Sequence, residues 1–211
     1  MSGASGGVCA LFTNLWYEER MTGEPKFVLQ MAMNGALSGL VAVTSGCALV
    51  EPYGAIIIGV IAGWLYMLSS ALLIKLRIDD AVNAIPVHMV NGCWGLIATG
   101  LLASPRMLEL TYGAQHSNHP GLFYTFGSGN GPVDGNLLLC QIMAILFIFG
   151  WTFITMFPFF IWLNYKYVFY VFFSVPDSTF EQLHCSTLFT HDLSIIRFLF
   201  LCFAVVILIY N

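Results

Sequence analysis

Apolar residues fall in long runs along this chain, and the polar residues between them are few and grouped. The runs at 1–17, 27–50, 53–74, 81–103 and 137–164 are too long for strands. A helix needs about 20 apolar residues to cross a bilayer, so four of the five runs predict spanning helices and the first is short for one. Separating them are a charged loop at 18–26, a tight turn at Glu51-Pro52-Tyr53-Gly54, a charged loop at 75–80 and a long Gly-, Asn- and Pro-rich loop at 104–136. Pro158 lies inside the last run and should kink or end its helix, because it lacks the N–H that continues the ladder. A tail follows from 165 and ends in a further apolar run at 195–210.

Within the runs, small residues recur four apart: Gly3 and Gly7, Gly35 and Gly39, Gly59 and Gly63. Residues at that spacing share a helix face, and a face without side chains lets another helix approach closely. Such pairs argue for a tight bundle and for no particular function.

One stretch, IDDAVNAIPVHMVNGCWG at 78–95, carries candidate chemistry. His88 is a titratable side chain inside an apolar run, where polarity is costly and tends to mark a functional path. Ala84, His88 and Gly92 share an i, i+4 row, and Gly95 extends the bare surface. The bland alternative is a packed histidine bonded to a neighbouring helix. Asp79 and Asp80 precede the run, where a carboxylate caps a helix N-terminus; an acidic inner vestibule is the second reading.

Composition sharpens the class. The chain is 58% hydrophobic and 9% charged, far from the ~25% charged residues of soluble domains, so it is read as an integral membrane protein. Seven Lys and Arg against 11 Asp and Glu exclude a nucleic-acid binder. Six scattered cysteines without a C-x-x-C read as small buried side chains. His116 and His119 form an H-x-x-H without a third ligand, so no metal and no cofactor is expected; His184 and His191, in the tail, carry no role. The absence of H-E-x-x-H and of a Ser–His pairing in the runs argues against an intramembrane enzyme. No basic residue precedes Arg20, so a signal peptide is not indicated, and the apolar start reads as a truncated one.

Residues 23–104 resemble the ammonium transporter (Amt/Mep/Rh) family. The resemblance lies in Asn34-Gly35-Ala36-Leu37-Ser38-Gly39-Leu40-Val41-Ala42-Val43-Thr44, Gly46-Cys47-Ala48 to Glu51-Pro52, Gly59 to Gly63, Leu76-Arg77-Ile78-Asp79-Asp80, Val87-His88 and Gly92-Cys93-Trp94-Gly95. Gly121-Leu122-Phe123-Tyr124 and the run from Leu137 to Gln141 extend it, to about residues 1–166. It implies an all-α multi-pass protein of the plasma membrane that moves ammonium or ammonia and forms homotrimers when the N-terminal half is present. This chain would be a partial bundle of about five helices, from part of helix 7 through helix 11, with an off-family tail at 167–211. His88 matches the second of the family's paired pore histidines. The first histidine, the phenylalanine gate, the external tryptophan and the essential aspartate belong to earlier helices. Met89 stands where many members have glycine, and Asn91 adds a polar group one turn on. The tail is what a frame change or unspliced sequence would leave. The implied alternative is a non-conducting fragment that associates with full-length subunits.

If every run crosses, Arg20, Lys26, Lys75, Arg77 and Lys166 share one side and Arg106 the other, which places the first side in the cytoplasm. Tags in 18–26 and 75–80 are therefore expected to be shielded in intact cells and a tag near Gly129 reached from outside. Equal labelling of both would refute the orientation. The run at 195–210, about 16 residues long, is expected to insert weakly. Glycosylation mapping that placed the C-terminus wholly outside would contradict that.

Overall fold

The computed structural model describes residues 1–78, 80, 82–113, 118–128 and 134–174. Those residues form α1 (Ser2–Thr22), α2 (Leu29–Thr44), α3 (Pro52–Lys75), a π-turn (Ile85–Val90) that runs directly into α4 (Asn91–Leu102), the short helices α5 (Pro105–Tyr112) and α6 (Leu122–Ser128), and α7 (Asn136–Ser174). No strand occurs among the described residues; Val50 and Ala103 make an isolated antiparallel bridge.

The first three helices meet backbone to backbone. A methyl group at Gly6 would lie 2.6 Å from the carbonyl oxygen of Gly35 and 3.1 Å from that of Gly59. One at Gly35 would lie 2.5 Å from the Ala10 Cβ, one at Gly63 2.7 Å from the Gly6 oxygen, and one at Gly39 or Gly59 would strike the Ser2 carbonyl. The glycine pairs of three helices are thus one shared junction: α1 runs antiparallel to α2 and parallel to α3. Such close approach also lets short side chains reach across. Ser2 Oγ donates to the Gly39 carbonyl at 2.6 Å, and Ser5 Oγ to that of Ile56 at 3.1 Å. In hydrocarbon, where water competes for nothing, dense packing and such bonds are what hold helices together.

α4 lies parallel to α2. Gly95 faces the Ala42 carbonyl, 2.5 Å from where a Cβ would stand, and Ser45 and Thr99 share a hydroxyl–hydroxyl bond of 2.9 Å. Ala42, Val50, Ile58, Ala62 and Ala98 form the buried cluster among α2, α3 and α4, with Trp94 and Leu102 packed on it. α7 runs antiparallel along the far side of α4. Gly100 would place a Cβ 2.8 Å from the Leu138 Cα, and Leu96 packs with Ile148. The rest of α7 turns Leu146, Phe147, Trp151, Phe153 and Ile154 outward, as a helix bathed in lipid does. By length and composition three described segments can cross a membrane: α3 with 24 residues, Ile85–Leu102 with 18 and Asn136–Leu163 with 28. α2 is apolar but has 16 residues, and α1 has 21 with Glu18, Glu19 and Arg20 in its last turns.

Several elements differ from the sequence reading. The run at 27–50 is helical only over Leu29–Thr44; it then tightens into a turn in which the N–H groups of Leu49 and Val50 both donate to the Gly46 carbonyl at 2.9 Å. Pro52 excludes helix from the residue before it, and Glu51 is extended. The run at 81–103 opens with a π-turn instead of a regular α-helix. The loop at 104–136 contains α5 and α6, the first begun by Pro105 at a position that needs no N–H. Pro158 does not end α7, which runs past residue 166 to Ser174. One lost backbone bond costs less in an apolar medium than abandoning all those that follow.

Gly6→Leu is expected to lower stability in detergent by roughly 1–3 kcal/mol or more, because three backbones must move apart. Gly150, with nothing near its absent Cβ, is the control. Gly150→Ala should stabilise the helix by about 0.5–1 kcal/mol. Thermal unfolding of the purified variants measures both, and equal effects would contradict the junction.

Candidate functional site

The segment leading to His88 begins where α3 ends. The N–H of Ile78 reaches back to the Leu73 carbonyl and that of Arg77 to Ile74, both at 3.0 Å, and Arg77 takes the left-handed backbone (φ 57°) that closes a helix in this way. Asn83 is the second left-handed residue (φ 54°), and Ser70 Oγ on α3 donates to its Oδ1 at 3.3 Å. Asp80 then takes the backbone N–H groups of Ala84 and Ile85 on its two oxygens, at 3.0 and 2.8 Å. Both oxygens satisfy N–H groups that open the next helix, so Asp80 does the work of a capping side chain from four residues ahead of the N-cap residue, Ala84. Asp79 lies outside the described residues. Ser70, Leu73, Ile74, Arg77, Ile78, Asp80 and Asn83 surround a hollow of about 370 Å³ at this end of the bundle.

Pro86 follows at the start of the π-turn. A π-turn bonds each carbonyl to an N–H five residues on, adding one residue to the turn and often marking a functional position. It breaks the single α-helical row expected for Ala84, His88 and Gly92. Asn91, fully buried, sits five residues after Pro86 and donates its side-chain Nδ2 to the Pro86 carbonyl at 2.8 Å. The Asn91 amide thereby spans the turn that carries His88. Within it, Val87 packs into the cluster of Ala10, Val41 and Tyr66, and Met89 packs on Leu96 and Ile148. His88 is half-buried, and its Nδ1 is shielded from solvent without a hydrogen-bond partner. Tyr66, fully buried beside Val87, accepts from Asn34 Nδ2 at 3.1 Å and donates to the Met31 sulfur at 3.7 Å.

Of the packing glycines, Gly35, Gly39, Gly59 and Gly63 sit in the three-helix junction, Gly95 against Ala42, and Gly92 is buried at the start of α4. The sequence reading missed the π-turn and the Asn91 brace. Pro86 and Asn91, five apart around His88, were the available signal.

The other end of the bundle is tied by polar groups. Ser104 donates its N–H to the Leu49 carbonyl at 2.8 Å and its hydroxyl to Glu51 at 3.2 Å, and the N–H of Gly121 reaches Ala103 at 2.8 Å. Tyr124 bonds Tyr53; burial first, then that bond, push its phenol up to about 12. In the same loop region Asp134 accepts from the Asn136 N–H at 2.9 Å and pairs with His119 Nδ1 at 2.5 Å. The Asn136 N–H first, and then His119, hold its carboxyl below the ordinary value. His116 lies outside the described residues, and among those described no three ligating side chains cluster.

The profile of the Ammonium Transporter Family matches residues 1–173. The chain is 37% identical over 156 residues to Ammonium transporter 1 member 1 of Oryza sativa subsp. japonica, covering 74% of this chain and 29% of that protein. It is 38% identical over 154 residues to Ammonium transporter 1 member 2 of Arabidopsis thaliana, covering 73% and 28%. Among solved structures, Saccharomyces cerevisiae Mep2 matches with a TM-score of 0.49 and 25% identity, over 68% of this chain and 30% of that one. The chain spans less than a third of the length of the curated relatives quoted.

Asp80→Ala is expected to cost about 1 kcal/mol through the loss of both bonds, whereas Asp80→Asn, which keeps one of the two acceptor oxygens, should lose only part of that. Unfolding in detergent and proteolysis at 77–84 report the difference; equal losses would give Asp80 another role. In the loop before α7, Asp134 stabilises the start of that helix above its unfolded-state value of about 3.9. That contribution disappears as pH falls through the lower folded value. Exchange of the Asn136 amide, corrected for its intrinsic pH dependence, should lose protection only below that point.

Proposed function

Since the chain belongs to the ammonium transporter family, we propose that it serves transmembrane ammonium or ammonia transport, with His88 in the wall of the substrate path. The observation that carries this reading is the state of His88: in a turn shaped by Asp80, Pro86 and Asn91, its imidazole is half-buried with Nδ1 shielded from solvent and unpartnered. A buried polar atom left unmatched calls for a partner, and a transported species able to hydrogen-bond is one that fits an imidazole.

The chemistry suits the cargo. Ammonium and potassium resemble one another in size and charge, so a cation-sized hole separates them poorly. Ammonium differs in having N–H donors and a removable proton. A neutral imidazole presents one acceptor and one donor to such a species. An apolar lumen excludes the ion, whose desolvation is costly, far more than neutral ammonia. Deprotonation at the mouth, passage of ammonia and a histidine-assisted path for the proton are the steps this supports. The family is one of transporters and not of enzymes. The same reading carries a plasma-membrane location and homotrimers with one path per subunit once the remaining wall is supplied. Asp80, with both oxygens on backbone amides, is assigned to capping instead of an acidic vestibule.

Two experiments test the reading. In a full-length context, His88→Ala should change uptake of labelled methylammonium per folded subunit, or its selectivity over potassium, by about tenfold, as for loss of one group acting on the transported species. Reduced folding with unchanged uptake per folded subunit would make His88 a packing residue. Residues 1–211 expressed in cells lacking their own ammonium transporters are expected to restore growth on low ammonium at acidic pH only with a co-expressed N-terminal half. Growth with the chain alone would show that it conducts by itself. No growth in either case would favour a fragment that acts only by packing against other subunits.

A further inference from the structure

Two fully buried polar atoms lie on neighbouring helices without partners: Ser38 Oγ on α2 and Asn91 Oδ1 at the start of α4. The register of the two helices relates them. Ala42 meets Gly95 and Ser45 bonds Thr99; toward the other end, Asn34 reaches Val87 through Tyr66, which bonds the first and packs with the second. Counting one turn from each of these pairs along two parallel helices places Ser38 level with Asn91. One is a hydroxyl with a proton to give, the other an amide oxygen that only accepts.

We propose that Ser38 and Asn91 hold one buried water, which accepts from the Ser38 hydroxyl and donates to Asn91 Oδ1. A buried water needs two or more polar partners, and leaving both groups unmatched in the interior would be costly. With this bridge the Asn91 side chain is held at both ends, by α2 through its oxygen and by the Pro86 carbonyl through its nitrogen. The π-turn is thereby fixed against the bundle. Asn91 and Ser38 are positioning residues: they touch no substrate and act on the orientation of the His88 ring. The transport consequence rests on the reading of His88 given above; the bridge itself does not.

The test uses the full chain in lipid, with ¹⁵N-labelled asparagine and histidine. Water-edited solid-state NMR should show a water contact at the Asn91 side-chain amide, identified by its loss in Asn91→Leu. Ser38→Ala should abolish that contact and shift the His88 ring nitrogens, identified through His88→Gln. Ser38→Thr, which keeps the hydroxyl, should restore both. In a double-mutant cycle, Ser38→Ala and Asn91→Leu should be non-additive by about tenfold in the unfolding equilibrium constant. An Asn91 contact and His88 signals indifferent to Ser38→Ala, or strict additivity, would overturn the bridge. Where Asn91→Leu fails to fold, Asn91→Gln, which keeps an amide but removes the labelled asparagine, identifies the signal, and the Ser38→Ala spectra then decide the matter. No transport is measured, so failure here is distinct from failure of the ammonium reading.

Discussion

Close approach of backbones at Gly6, Gly35, Gly39, Gly59 and Gly63 is the constraint on which the remaining structure rests. A lipid tail is as apolar as leucine, so burying leucine against leucine gains little in a membrane. What gains is contact density, and removing side chains from the seam raises it. The same nearness brings Ser2 and Ser5 within bonding distance of carbonyls on two other helices. α2 and α3 are thereby fixed relative to one another. Between them they present the groove that receives Gly95, Trp94 and the π-turn. Trp94 adds a tie by donating its indole N–H to the Ile58 carbonyl at 3.2 Å.

The π-turn is where that regularity is given up. A regular α-helix through 84–95 would satisfy its own backbone and would keep Ala84, His88 and Gly92 in one row. The extra residue rotates His88 relative to α4, and Asn91 supplies the donor that holds the widened turn together. Asp80 starts it from the other side. The turn that carries His88 is therefore shaped by a carboxylate, a proline and an amide.

Much of this was legible in the residues. Long apolar runs announced membrane helices because hydrocarbon admits little else, and an aspartate before such a run announced a cap. The glycine pairs were visible, but not which pairs meet, because spacing marks a face and is silent about its partner. The helix at Pro105–Tyr112 was hidden by a loop-like composition despite the Ser104-Pro105 start. The early end of α2 came from Gly46 and Pro52 acting on opposite sides of a turn, a combined effect that hydropathy alone does not register. His88 stood out in the sequence by its cost in an apolar run, but the π-turn that carries it did not, because a single added residue in a turn leaves no periodic trace.

α7 has 39 residues, which at about 1.5 Å each makes a rod of roughly 58 Å, nearly twice the thickness of the hydrocarbon core. Pro158 stands some 33 Å from its start by the same measure, close to where such a rod leaves the apolar layer. The intact segment before it is clamped to α4 at Gly100 and Leu96. The part beyond is therefore a lever whose fulcrum is Pro158, and a small tilt there becomes a displacement of several ångströms at Ser174.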